Sequence, residues 1–322
     1  MKKKVFLTRA LHDFVLKQLR KRYDVEVHSG KIPIPQTKLH SKIKEIDGLI
    51  CFPYDKIDKE GIESAKNLKI ISTYSVGFDH IDTVHAKKKK IRVGYTPEVL
   101  TDATANLAFS LLLDISRRVS EGDRIIRNGK WKEVYGAFDY VGVDLKDKTL
   151  GILGLGRIGE MLAKRAKAFD MKITYHNRKH VSKTKEKILN AQYVSFEKLI
   201  SQSDFISIHV PHTAETDRMF GMKVFKKMKE SAYLINTSRG KVINEKDLVE
   251  ALKKKMISGA GLDVFETEPI KSNHPLVKLS NVILAPHIGS STEETRRKMA
   301  EIAVKNLNLG MNGKKPAYSV GY

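Results

Sequence analysis

The sequence predicts an α/β protein made of two doubly wound domains of parallel sheet, and three observations predict it. The chain has 322 residues, a length that suits two ordinary domains. Short β-branched runs alternate with longer helical patterns, which is how parallel strands joined by right-handed crossovers read. The alternation comes as two successive series, one in each part of the chain.

The first series has strand candidates at Val5–Leu7, Gly48–Cys51, Ile70–Thr73 and Val93–Tyr95. Leu100–Arg118 then reads as one long, largely apolar helix that Thr101 can cap. The polar stretch 128–148, with Trp131, Tyr135, Phe138 and Tyr140, reads as an irregular arm of the kind that covers a neighbouring subunit. The second series has strands at Thr149–Leu153, Ile173–Tyr175, Phe205–Val210, Tyr233–Asn236, Gly261–Val264 and Val282–Ala285. Helical stretches such as Glu160–Phe169, Phe196–Ser201 and Glu245–Lys254 lie between them. No repeat of solenoid period is present.

Composition excludes several classes. Hydrophobic residues make up 41% of the chain, enough for a full core. The longest apolar stretch, LAFSLLLDI at 107–115, is broken by Ser110 and Asp114 and is too short to span a bilayer. The N-terminal MKKKVFLTRALHD has an apolar part of only Val5 to Leu7, too short for a signal peptide. A single cysteine, Cys51, permits no intrachain disulfide, so a reducing, cytoplasmic compartment is expected. No metal site is assigned. The net charge of +22 points either to nucleic acid or to a lysine-rich solvated exterior. Basic runs are short, at Lys2–Lys4, Lys87–Lys90 and Lys253–Lys255, and none interleaves with aromatics. The solvated exterior is therefore preferred over nucleic-acid binding.

The sharpest local signal is TLGILGLGRIGEMLAKRAKAFDMKITYHNRK. It holds Gly154, Gly156 and Gly159 in the spacing G-x-G-x-x-G, after a strand and before a helix, with a second strand following. In that context the glycines read as a Rossmann dinucleotide site. Gly154 permits the turn and Gly156 lets backbone approach a pyrophosphate. Gly159 lets the helix pack closely. The helix start, including Arg157 and Ile158, offers N–H groups to phosphate. An acid that grips the ribose is expected about 20 residues further on. Asn177 stands there instead, 18 residues past Gly159, followed by Arg178 and Lys179. Loss of the acid removes repulsion toward a 2′-phosphate, and Arg pairs with phosphate bidentately. The expected cofactor is NADP(H), with NAD(H) as the weaker alternative.

Hydride transfer with such a cofactor needs a proton donor beside it and, for an anionic substrate, a cation. His287 follows a buried-looking strand in PHIGS, where α/β ligands bind, and suits the general acid. Glu266 and Glu268 in FETEP both qualify to orient its ring. Arg239 follows strand Tyr233–Asn236 and suits a planar carboxylate.

The stretches LINTSRGKVIN (234–244), GLDVFETEP (261–269) and LAPHIGSSTEETRRKMA (284–300) carry a resemblance. With STYSVGFDHID (72–82), TPEVLTDATANLAFSLLL (96–113) and the glycine turn, the chain resembles the D-isomer-specific 2-hydroxyacid dehydrogenases. Within them it is most similar to glyoxylate and hydroxypyruvate reductases. The resemblance implies that Glu268, immediately before Pro269, is the acid that serves His287. It implies that the N–H groups of Val76 and Gly77 hold the substrate carboxylate. It also implies cofactor contacts from Thr101, Val210, Pro211, Thr237, Ser238, Asp263, His287 and Gly289, with Asp263 near the nicotinamide amide. Family members often carry a second Trp three residues after Trp131; here that position is Val134, so a substrate contact from it is not carried over.

The reading is then an NADPH-dependent reductase of a small 2-keto acid acting as a homodimer. A dinucleotide-binding domain is expected at residues 100–286. A flavodoxin-like substrate domain is expected at 1–99 and 287–322, with the active site in the cleft between them. One alternative is an NAD-dependent 3-phosphoglycerate dehydrogenase, which the missing acid at Asn177 and the chain ending at Tyr322 oppose. A second is a dinucleotide-sensing, co-repressor-like binding protein.

Overall fold

Apolar strands buried on both faces give each half of the chain its own sheet. The computed structural model describes residues 2–321; Met1, where the basic N-terminal stretch begins, and Tyr322, the chain end, lie outside the described residues. The described chain divides into two compact units, one running to Leu100 and resuming at Ser290, the other spanning Thr101–Gly289.

The first unit contains β1 (Lys4–Leu7), α1 (Asp13–Arg22), β2 (Asp24–Val27), α2 (Gln36–Glu45) and β3 (Gly48–Cys51). It continues with α3 (Lys59–Ser64), β4 (Ile70–Thr73), α4 (Thr83–Lys88) and β5 (Arg92–Gly94). The strands are parallel in the order β2-β1-β3-β4-β5, the flavodoxin-like order. β3 and β4 are buried at every residue, and their sequences GLIC and IIST carry no charge. β2 is the edge strand DVEV, with alternating exposure and two acids, and the sequence reading missed it.

The second unit opens with α5 (Thr101–Arg117) and α6 (Val119–Arg127). The single helix expected over Leu100–Arg118 is thus shorter and is followed by another. Arg118 takes a left-handed conformation at φ 58°. The Asp114 carboxylate then accepts the N–H of Ser120 at 2.7 Å and starts α6. Thr101 lies within the first turn of α5 rather than capping it.

The sheet of this unit is built from β6 (Thr149–Leu153), β7 (Lys172–His176), β8 (Ala191–Tyr193), β9 (Phe205–Ile208), β10 (Tyr233–Asn236), β11 (Gly259–Leu262) and β12 (Val282–Leu284). Its helices are α7 (Arg157–Ala168), α8 (Lys183–Leu189), α9 (Phe196–Gln202), α10 (Met222–Phe225) and α11 (Glu245–Lys253). The order β12-β11-β10-β9-β6-β7-β8 is all parallel and reverses between β6 and β9, the Rossmann switch point. Side-chain caps from Ser182, Ser195 and Asn244 start α8, α9 and α11. The chain then returns to the first unit as α12 (Glu293–Met311), capped by Thr292 and packed on β3, β4 and β5.

The fold class is therefore the one expected. The second unit keeps His287, Ile288 and Gly289, three residues past the boundary drawn from sequence. The Asp263 carbonyl accepts from His287 N, and the Asp263 carboxylate accepts from Ile288 N and Gly289 N, which ties this segment to the tip of β11. Among the described residues no helix is long and apolar enough to cross a membrane.

Candidate active site

The glycine turn is shaped by its neighbours. Gly154 sits at φ +96°, and a Cβ there would come within 2.9 Å of the His209 carbonyl carbon. A Cβ on Gly159 would meet Gly154 O at 2.6 Å and Ile152 Cγ2 at 3.0 Å, so α7 lies against the turn as closely as backbone allows. Gly156 is the exception, because a Cβ there meets nothing within 4 Å. Gly156 caps α7 without a side-chain bond, and α7 starts at Arg157, three residues earlier than the sequence pattern implied. Arg157, Ile158 and Gly159 thus form its first turn, whose N–H groups have no intrahelical acceptor. Open space over a helix start of this kind fits a pyrophosphate.

β7 delivers Asn177 to this turn. The Asn177 side-chain oxygen accepts the N–H of Leu155 at 2.7 Å, and its amide donates to Leu155 O at 3.4 Å. Arg178 and Lys179, next in the chain, are exposed. Neighbouring histidines are used structurally: His176 Nδ1 meets Val194 O at 2.9 Å, and His180 stacks on Tyr193 at 3.7 Å. Glu160 on α7 is ion-paired with Lys185 on α8.

The tips of β9 and β10 bring further expected residues to the same edge of the sheet. Val210 lies against the glycine turn, 3.0 Å from a Cβ at Gly154, and Pro211 follows it on the surface. Thr237 is buried, and its hydroxyl makes no hydrogen bond among the described residues, as expected of a group awaiting a ligand. Ser238 donates from both N–H and Oγ to Asn236 Oδ1, at 3.0 and 2.9 Å. Asn236 Nδ2 donates to Arg239 O at 3.0 Å. Fully buried Asn236 therefore shapes the whole Thr237–Arg239 loop, a role the sequence reading missed. Gly240 lets that loop press on the next one, since a Cβ there would lie 1.9 Å from the Phe265 carbonyl carbon.

His287 and Glu268 meet directly, with Nδ1 and Oε2 2.7 Å apart. The other Glu268 oxygen accepts the N–H of Phe265 at 2.9 Å. The rival acid Glu266 lies elsewhere, bonded to Glu245 and 3.6 Å from Arg218. His287 is held at φ 55°, a conformation unfavourable for a side chain with a Cβ. Asp263 enforces it, through the Ile288 N–H at 2.7 Å, the Gly289 N–H at 2.9 Å and its own carbonyl on His287 N at 2.9 Å. Burial raises the Asp263 carboxyl pKa, and these N–H bonds together with His287 oppose the rise. Arg239 and His287 follow β10 and β12, which flank β11 and are thus about 10 Å apart.

In the first unit Val76 and Gly77 follow β4. Ser75 Oγ donates to Gly77 O and holds the loop. The N–H groups of Val76 and Gly77 make no hydrogen bond among the described residues.

Comparison with known proteins agrees with this geometry. The family described as D-isomer specific 2-hydroxyacid dehydrogenase, NAD binding domain, matches residues 109–289. A glyoxylate reductase of Thermococcus litoralis is 50% identical over 319 residues, covering 98% of this chain and 96% of the relative. A crystal structure from Thermus thermophilus shares 42% identity at a TM-score of 0.91, covering 99% of this chain and 100% of the other. An NADPH-dependent glyoxylate/hydroxypyruvate reductase of Sinorhizobium meliloti, solved with NADP and malonate, shares 28% identity at 0.87, covering 100% and 97%. With a glycine turn at the switch point and a His–Glu pair on the same sheet edge, the chain belongs to the D-isomer-specific 2-hydroxyacid dehydrogenases.

Proposed function

We propose that this protein is an NADPH-dependent reductase of glyoxylate or hydroxypyruvate, forming the corresponding D-2-hydroxy acid. The observation that carries the reading is the His287–Glu268 pair at 2.7 Å. Glu268 engages Nδ1 and orients the ring, so the proton for the substrate's carbonyl oxygen is offered from Nε2. The guanidinium of Arg239 takes the carboxylate and polarises the carbonyl, with Val76 and Gly77 as backbone donors. The bound dinucleotide supplies the hydride. Gly154, Gly156, Arg157, Ile158 and Gly159 receive its phosphates, while Thr101, Val210, Pro211, Thr237, Ser238, Asp263 and Gly289 surround the rest.

The cofactor reading rests on Arg178 and Lys179, exposed beside a position without an acid. The Sinorhizobium meliloti relative, named as NADPH-dependent, supports it. The name of the Thermococcus litoralis relative supports glyoxylate as substrate. We also propose a homodimer that works in the cytoplasm. Its arm presents Trp131, Val134, Tyr135 and Phe138 to solvent, with Phe138 95% exposed, and this apolar exposure supports the arm as the subunit contact. NADPH and NADH oxidation followed at saturating glyoxylate and hydroxypyruvate tests the reading. Preference for NADPH is expected. Absence of turnover with either acid, or a clear preference for NADH, overturns the corresponding half of it.

A further inference from the structure

One cluster of the first unit is buried, charged and incompletely bonded, and it lies outside the residues assigned so far. Asp55 closes the turn that follows β3. Its N–H donates to Phe52 O at 3.0 Å, and its Oδ2 accepts the N–H of Phe52 at 2.8 Å and the hydroxyl of Thr8. Its other oxygen makes no hydrogen bond among the described residues. Arg9, just past β1, approaches that oxygen only to 3.8 Å, and both of its terminal nitrogens are buried without a hydrogen-bond partner among the described residues. The guanidinium faces rings instead, 5.0 Å from the centre of Phe52 and 5.3 Å from that of Tyr54.

A buried ion pair with unused hydrogen-bonding capacity is a poor way to stabilise a core, and an apolar pair of the same volume does as well or better. What the arrangement does accomplish is to fix two aromatic rings. Arg9 spans both of them, and Asp55 fastens the backbone that carries them. The fixed rings adjoin the carboxylate-binding loop. Phe52 packs on Tyr74 at 4.8 Å, and Tyr74 is anchored by its N–H to Cys51 O at 2.8 Å and by its hydroxyl to Arg296 O at 2.6 Å. Ser75, Val76 and Gly77 come next in the chain.

We propose that Arg9 and Asp55 are positioning residues that set substrate size, by holding Phe52–Tyr54 as a rigid aromatic wall beside the Val76–Gly77 loop. A keto acid seated on those two N–H groups then has room for hydrogen or a hydroxymethyl group at C2 and none for a longer or branched chain. The inference rests on the 2-keto acid reading given above, and it concerns which acids are refused.

The test is the ratio of kcat/KM for glyoxylate to that for 2-oxohexanoate and 2-oxoisovalerate. It is measured in the full-length protein and in the double variant Arg9→Met/Asp55→Asn, which removes both charges so that neither is left buried alone. The ratio is expected to fall at least tenfold, through lower KM for the larger acids, while kcat on glyoxylate stays within about twofold. Arg9→Lys, which keeps the charge but cannot span two rings, is expected to give an intermediate ratio and serves if the double variant does not fold. An unchanged ratio in either folded variant, or an equal loss on every substrate, overturns the proposal. A wild-type enzyme inert toward every keto acid refutes the functional reading instead, so the two failures are distinguishable.

Discussion

The side-chain oxygen of Asn177 is bonded to the backbone N–H of Leu155 at 2.7 Å. The residue that stands in place of the ribose acid is thus committed to bracing the glycine turn, and under the proposed NADPH reading Arg178 and Lys179 are the residues expected to meet the 2′-phosphate. Two substitutions separate these tasks. Arg178→Ala is expected to lower kcat/KM for NADPH by roughly 10- to 100-fold, the worth of a charge-assisted bond, and to leave NADH nearly unchanged. Asn177→Ala is expected to weaken both cofactors to a similar degree, because the turn itself loosens. Steady-state kinetics with each nucleotide decides; an NADPH-selective loss in Asn177→Ala would reverse the assignment.

His287 depends on the neighbours that aim it. Replacement by Ala is expected to cost about 10²–10⁴ in kcat, as for a general acid, with little change in NADPH binding by fluorescence titration. In Glu268→Gln a single oxygen serves either Phe265 N, leaving an N–H against Nδ1, or Nδ1, leaving Phe265 N without its acceptor, so kcat is expected to fall there as well, by a smaller factor. Full activity in His287→Ala would remove it as the proton donor.

The stability of the protein is expected to weaken in mild acid through His209. Burial pushes the His209 imidazole down to about 4 from its ordinary 6.5, while its ring accepts or donates at 2.8 Å with Ser207 Oγ. The unfolded chain therefore takes up a proton that the folded one refuses. Stability is lost as pH falls from 6.5 toward 4, by about 2 kcal/mol at pH 5. In His209→Gln the drop in Tm between pH 7 and pH 5 is expected to shrink by a few degrees. An identical drop in both proteins rules this histidine out as the source.

The aromatic arm yields a prediction about assembly. Tyr140 anchors it, stacked under Arg118 at 4.0 Å and donating to Arg118 O at 2.8 Å, while Val134 and Phe138 stand 88% and 95% exposed. Glutamates at both positions are expected to convert a dimer into a monomer in sedimentation velocity without lowering Tm of the remaining fold. A wild-type protein that sediments as a monomer at micromolar concentration contradicts the assignment.

Strands such as GLIC, IIST, FISI and YLIN were legible because parallel strands covered on both faces are built mostly from apolar, often β-branched residues. DVEV and AQY were not, because sheet edges are short and partly wet. The break between α5 and α6 was hidden for another reason. Left-handed Arg118 is paid for by a carboxylate four residues earlier, and Asp114 in an apolar run reads as an interruption rather than as a cap. Site residues with their own chemistry, Arg239, Glu268 and His287, stood out as residue types placed after strands. The groups that hold them did not. Asn236 and Asp263 act on backbone N–H and C=O groups, which no side-chain pattern announces. Arg9 and Asp55 lie 46 positions apart in the chain, and only the sheet brings β1 and β3 together.

Cys51 ends β3 and is wholly buried, its thiol pushed far up by desolvation with Asp55 adding to the rise, and its sulfur 3.9 Å from His80 Nε2. A thiol held neutral in this way neither attacks electrophiles nor meets oxidants while the first unit stays closed. As the only cysteine of the chain, it is also a native reporter. Modification by a thiol reagent registers each opening of that unit alone, so the breathing of one half of the molecule can be timed without engineering a label into it.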